Sequence, residues 1–243
     1  AMTWTEGERV DDGRYTIERV LGMGRFAVTY LAIDHESGDR VAIKTLNDSA
    51  KVRSDLAKVR QVFWDEAMQL KGCDHPHVVK VDRLFETNGS PCVVMEYLAG
   101  SDLQELGRLS VKDAMIYVKQ IGLALDYVHA KGFIHRDVRP ENIRRRAGQK
   151  AVVLLDFGSA LAFADELNTT QTASHAGGFA APEAYASKGD RGPQTDIYSL
   201  GATLYFLLEG VAPPDAPTRH DRGLALTFSG KYDPAVTALI QRA

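Results

Sequence analysis

The sequence predicts an α+β fold from two observations. Short apolar, strand-like runs recur in its first part, whereas apolar residues at helical spacing dominate the rest. A third observation points to the chemistry: two carboxylates and an amide, Asp137, Asn142 and Asp156, fall in one short stretch of the second part.

The elements follow in chain order. Residues 15–20 and 28–33 read as strands, so Leu21, Gly22, Met23, Gly24, Arg25, Phe26 and Ala27 between them form a hairpin turn. Glycines there let backbone amides come close to a phosphate. By itself such a pair of glycines is more often an ordinary turn. The run Val41-Ala42-Ile43-Lys44 is a further strand ending on a cation. Over residues 59–70, Val59, Val62, Phe63 and Leu70 fall at helical spacing, and Glu66 lies on the same stripe. A carboxylate on a core-facing stripe is costly without a cation or donors, and Lys44 is the natural candidate.

The second part reads as mostly helical. Ser110 followed by Asp113 resembles a helix start, and Ala114, Tyr117, Val118, Ile121, Leu125 and Val128 then recur with helical period. Residues 195–209 form a second, almost wholly apolar helix with Asp196 near its start, a place the helix dipole favours for a carboxylate. Between the two, residues 152–155 read as a buried strand that delivers Asp156 to an edge. The basic run Arg144-Arg145-Arg146 is expected as a solvated turn between strands, and residues 213–217 as a surface loop.

With 243 residues, 44% hydrophobic and 25% charged, the chain can bury a sizeable core. Its net charge of -3 gives no argument for nucleic acid or an anionic membrane as a partner. Cys73 and Cys92 lack metal-ligand spacing, and a reducing compartment is the simpler inference. No stretch is long enough to span a bilayer and no signal peptide is seen.

Phosphoryl transfer needs a carboxylate to orient and accept the proton of an attacking hydroxyl. It also needs oxygen ligands that hold magnesium against phosphates. Asp137 suits the first task; Asn142 and Asp156 suit the second, as ligands for a hard cation. Singly, each would more often be a turn former or cap.

His135-Arg136-Asp137-Val138-Arg139-Pro140-Glu141-Asn142, then Asp156-Phe157-Gly158, then Ala181-Pro182-Glu183 resemble the catalytic loop, metal loop and activation-segment end of protein kinases. The likeness is to the bacterial eukaryotic-like (Hanks-type) Ser/Thr protein kinases and covers nearly the whole chain. It implies a two-lobed kinase-like fold in a single domain over residues 1–243: a small antiparallel sheet with one main helix over about 15–98, and a mainly helical lobe over about 99–243. Whether that lower lobe is complete stays open.

The resemblance implies roles residue by residue. Asp137 is the catalytic carboxylate, Arg139 the cation near the moving group, Lys44 the phosphate grip set by Glu66, and Asn142 and Asp156 the ligands of Mg2+ or Mn2+. ATP, the co-substrate, would meet Leu21, Gly22, Gly24, Thr29, Ala42 and Lys44. It would also meet Met95 as gatekeeper, the carbonyl of Glu96, the amide of Leu98, Asp102 at the ribose, and Arg144. Asp196 would anchor the catalytic-loop backbone.

Four hydroxyls in the activation segment, Thr169, Thr170, Thr172 and Ser174, are candidate phosphosites, with Arg136 as the receiving cation. The partners implied are a Ser/Thr-bearing protein substrate and one that reads phosphothreonine, in the cytoplasm or as the cytoplasmic part of a longer protein.

Several positions depart from the family pattern. Ala27 replaces the third glycine and Thr29 a valine. Arg139 replaces a lysine, with a planar fork and a different reach. Arg144 stands where an apolar side chain floors the adenine, and could stack beneath a base or turn away. Ala176 stands in place of a threonine, and no arginine partner for Glu183 is evident. The alternative these departures raise is a pseudokinase, a nucleotide-binding or scaffolding module.

Overall fold

The computed structural model describes residues 4–157, 177–185 and 191–243, which form two compact units. One comprises residues 4–74 and 79–97, the other 75–78, 98–157, 177–185 and 191–243.

The first unit is a six-stranded antiparallel sheet. Its strands are β1 (Arg9–Val10), β2 (Tyr15–Met23), β3 (Ala27–Asp34), β4 (Arg40–Leu46), β5 (Val81–Thr87) and β6 (Ser90–Glu96), ordered β1-β2-β3-β4-β6-β5. Alternation along each strand sorts side chains onto two faces. Val28, Tyr30 and Ala32 of β3, Ile43 of β4 and Cys92 and Val94 of β6 share a buried cluster with Trp4, Tyr15, Ile17 and Phe85. Burying a large apolar side chain contributes about 1.5–3 kcal/mol, so this cluster fixes the register.

The hairpin departs from expectation in length. β2 runs on to Met23, with a register shift between Val20 and Gly22, which leaves only residues 24–26 as the turn. Helix α1 (Asp48–Lys51) is short; α2 (Leu56–Lys71) buries Val59, Phe63, Ala67 and Leu70 and packs on β5 and β6. Val62, expected on the buried stripe, is only half-buried, and Ala67 is buried on that face instead.

The second unit holds α3 (Leu103–Leu106), α4 (Val111–Ala130), the β7 (Ile143–Arg145) and β8 (Val152–Leu154) hairpin, α5 (Pro193–Glu209), α6 (Ala216–Arg222) and α7 (Pro234–Arg242). Ser110 caps α4 by accepting from the amide of Asp113 at 3.1 Å. Helix α5 starts two residues earlier than the apolar run suggests, because Pro193 is pre-set for a first helical position. It packs on α4 and is buried continuously from Ser199 to Leu208, as a helix apolar all round must be. Its inner hydroxyls stay satisfied: Ser199 donates to the Thr195 carbonyl and Thr203 to that of Ser199.

Arg144 and Arg145 correct the expectation of a solvated turn. Both lie in β7, paired with Val153 and Val152, and are half-buried; only Arg146 lies beyond the strand. Among the described residues, no helix is long and apolar enough to cross a membrane.

Candidate active site

The chemistry of the second unit gathers on the loop 131–142, between α4 and β7. A single buried side chain organises it. Asp196, on α5, accepts from the backbone amides of His135 at 2.8 Å and Arg136 at 2.7 Å, and from His129 Nε2 at 2.7 Å. Charge-assisted bonds of this kind are stronger than neutral ones, and they compensate a fully buried carboxylate. They also hold Arg136 at a φ of 68°, a left-handed conformation that costs a non-glycine residue about 1–2 kcal/mol.

His135 carries the restraint onward. Its Nδ1 accepts from the Asp137 amide at 3.2 Å, so the ring hydrogen lies on Nε2, which donates to the Leu155 carbonyl at 2.7 Å. Phe157 packs edge-on against the same ring, with centroids 4.5 Å apart. One imidazole thus links the loop to the chain that follows β8.

Asp137, Asn142 and Asp156 are brought together. The Asn142 amide nitrogen donates to the Asp137 carbonyl at 2.8 Å and to Asp137 Oδ2 at 2.9 Å. Both amide hydrogens are spent this way, which leaves Asn142 Oδ1 as an acceptor. Burial pushes the Asp137 carboxyl up, and Asp156 adds to the rise, while His135, Arg139 and Asn142 pull it back. Asp156 sits at a φ of 57°, a strained conformation for a non-glycine residue, though one that Asp tolerates better than most.

These donors fit a divalent cation. The Asp156 charge is close enough to raise the Asp137 carboxyl, a pairing that favours a cation, and Asn142 Oδ1 adds a hard ligand. Among the described residues no cluster of three or more His, Cys, Asp or Glu forms a self-sufficient metal cage. Magnesium bound through one or two side chains plus phosphates and waters has that character.

Arg139 pairs with Glu141, and its guanidinium carbon lies 5.9 Å from the Phe179 ring centroid. Glu183, for which no arginine was evident, accepts from Thr195 Oγ1 at 2.7 Å, while Arg191 donates to the carbonyls of Glu183 and Ala184 at 3.2 and 3.0 Å. The candidate phosphosites Thr169, Thr170, Thr172 and Ser174, with Gly158 and Ala176, lie outside the described residues.

In the first unit, strand register brings predicted residues onto one face. Thr29 pairs with Lys44 and with Gly22, and Ala42 pairs with Met95. Cross-strand partners point the same way, so Thr29, Ala42, Lys44 and Met95 share the face opposite the apolar cluster. Glu66 is half-buried on α2, and Leu21 half-buried on β2. The Glu96 amide is taken by the Lys80 carbonyl at 3.0 Å.

Gly22 and Gly24 need no positive φ, and a Cβ on either would meet nothing closer than 3.5 Å. Neither folding nor packing therefore requires glycine there, whereas close approach of a ligand to bare backbone would.

In the second unit, Leu98 is buried and Asp102 caps α3. A capping box forms: the Glu105 amide donates to Asp102 Oδ1 at 2.8 Å, and the Asp102 amide to Glu105 Oε2 at 3.1 Å. Arg144 turns toward this cap and donates from Nη2 to Asp102 Oδ2 at 3.3 Å.

Sequence reasoning missed three contributors. Asn47 caps α1 and donates from Nδ2 to the carbonyls of Gly24 and Arg25, both at 3.0 Å, which clamps the glycine turn. His129 and Thr195 were the others. An Asn just after an apolar strand and before Asp48 is a cap signal that could have found Asn47.

The family described as "Protein kinase domain" matches residues 15–227. "Serine/threonine-protein kinase PknJ" of Mycobacterium tuberculosis is 35% identical over 206 residues, covering 82% of this chain and 34% of that protein. "CBL-interacting protein kinase 24" of Oryza sativa is 30% identical over 246 residues, 97% of this chain and 53% of that one. The chain thus spans about a third to a half of these relatives. Among solved structures, "PpkA-294 apo form" superposes with a TM-score of 0.80 at 25% identity, covering 100% of this chain and 92% of that one. The Mycobacterium tuberculosis PknI kinase domain gives 0.67 at 26%, covering 98% and 85%. The sheet-built and helix-built units, the loop organised by Asp196 and the match over most of the sequence agree: the chain belongs to the protein kinase domain family.

Proposed function

We propose that this chain transfers the γ-phosphoryl group of ATP to Ser/Thr hydroxyls of proteins, as one kinase domain over residues 1–243 with lobes at about 15–98 and 99–243. The observation that carries the proposal is the Asp137–Asn142–Asp156 grouping on a loop anchored by Asp196.

In this reading Asp137 orients the substrate hydroxyl and takes its proton, while the oxygen forms a bond to the γ-phosphorus and the bond to the β-phosphate oxygen breaks. A carboxyl pushed up by burial is a better proton acceptor than an ordinary one. Asn142 and Asp156 would hold Mg2+ or Mn2+, which when bound neutralises phosphate oxygens. Lys44, set by Glu66, grips the phosphates, and Arg139 meets charge on the moving group. Leu21, Gly22, Gly24, Thr29, Ala42, Met95, Glu96, Leu98, Asp102 and Arg144 line the nucleotide. Autophosphorylation at Thr169, Thr170, Thr172 or Ser174, received by Arg136, would create a mark for a phosphothreonine-reading partner, in a cytoplasmic setting.

Labelled ATP with Mg2+ and a generic protein substrate tests the reading. Label on Ser or Thr that disappears in Asp137→Ala is the expected result. Nucleotide binding without turnover would instead favour a pseudokinase, and label on added metabolites alone a small-molecule kinase.

A further inference from the structure

The Asp102–Arg144 pair is fixed by the backbone around it. A Cβ at Gly100 would lie 1.9 Å from the Arg145 carbonyl oxygen, so only glycine lets residues 100–102 lie against β7. The Arg145 amide donates to the Ser101 carbonyl at 2.9 Å, and Asp102 and Arg144 form an antiparallel bridge. Side chains at bridged positions stand side by side, which sets the guanidinium against the carboxylate before any ligand arrives.

Both carboxylate oxygens of Asp102 are then engaged. Oδ1 accepts from the Glu105 amide at 2.8 Å, and Oδ2 from Arg144 at 3.3 Å, with the Asp102 side chain 13% exposed and that of Arg144 28%. Resting on the kinase reading above, in which Asp102 and Arg144 line the nucleotide, we propose that Arg144 sets sugar selectivity: it withholds Asp102 from the ribose, so that ATP and 2′-deoxyATP are accepted alike. A hydroxyl bonded to an unshared carboxylate gains a charge-assisted bond, on the order of tenfold in affinity or more. A carboxylate already neutralised by a guanidinium and committed to a helix cap offers much less.

The test measures dissociation constants of ATP and 2′-deoxyATP, each with Mg2+, by calorimetry on the wild-type chain and on Arg144→Leu, which frees Asp102 while leaving its cap. The wild-type ratio is expected below about threefold, rising to about tenfold in Arg144→Leu. A larger wild-type ratio, or one that the substitution leaves unchanged, overturns the proposal. Where Arg144→Leu does not fold, the wild-type ratio decides alone. Tight binding with strong preference for the ribonucleotide removes only this inference; failure of both nucleotides to bind removes the kinase reading with it.

Discussion

The sheet of the first unit and the loop 131–142 of the second position chemistry by opposite means. In the sheet, Thr29, Ala42, Lys44 and Met95 come to one face because every strand obeys the same two-residue alternation, and many ladder bonds share the task. The loop has no ladder. Its shape hangs on Asp196, sixty residues away from Arg136, and it holds Arg136 in a conformation that the chain alone disfavours. Redundant backbone pairing thus tolerates change, whereas a loop held by a few side chains, Asp196 foremost, concentrates both strain and vulnerability.

The largest break in that contrast is expected from Asp196→Ala. It removes a fully buried carboxylate that three donors share, and a loss of about 3–5 kcal/mol in urea or thermal unfolding should accompany complete loss of transfer. A variant with near wild-type stability would show that the loop is held by other means.

Asn47→Ala tests the sheet side. It removes the α1 cap and both side-chain bonds to the glycine turn, yet the ladder remains, so a smaller cost of about 1–2 kcal/mol is expected. Steady-state kinetics should show it chiefly as a raised KM for ATP. An effect on stability as large as that of Asp196→Ala would erase the distinction between the two regions.

Asp137 sharpens the comparison through pH. Burial raises its carboxyl above the ordinary 3.8, so ionisation costs the folded state: stability is greatest when the group is protonated and falls as pH climbs through the raised value. Asp137→Asn should therefore unfold at higher temperature than wild type at pH 7. That advantage should shrink as pH falls and vanish below the ordinary 3.8, where the carboxyl is protonated in folded and unfolded chains alike. A destabilised variant at pH 7 would contradict the assigned direction.

Much of this was legible in the sequence, and for physical reasons. Alternation and helical period reveal strands and helices because burial imposes them, and the grouping of Asp137, Asn142 and Asp156 is visible because a loop and a short hairpin bring them together locally. What stayed hidden depends on pairing over long separations. The Asn47 clamp spans 22 and 23 residues, and the Asp102–Arg144 pair 42, so neither leaves a periodic trace. Arg144 and Arg145 misled because three arginines look solvated, while the Arg145–Ser101 backbone bond and the pairing with β8 draw that stretch into a strand. The Glu183 carboxylate likewise finds a hydroxyl, Thr195, where charge matching alone sought an arginine.

In the proposed reading Asp137, Asn142 and Asp156 act together on a metal-bound nucleotide. Electron paramagnetic resonance of Mn2+ in the presence of ATP tests it directly, on wild type and on Asp156→Asn, a change that keeps a side chain tolerant of the left-handed backbone. Wild type should bind Mn2+ in a nucleotide-dependent manner, and the variant, folded by circular dichroism, should lose most of that binding. Equal Mn2+ binding by the two would contradict it.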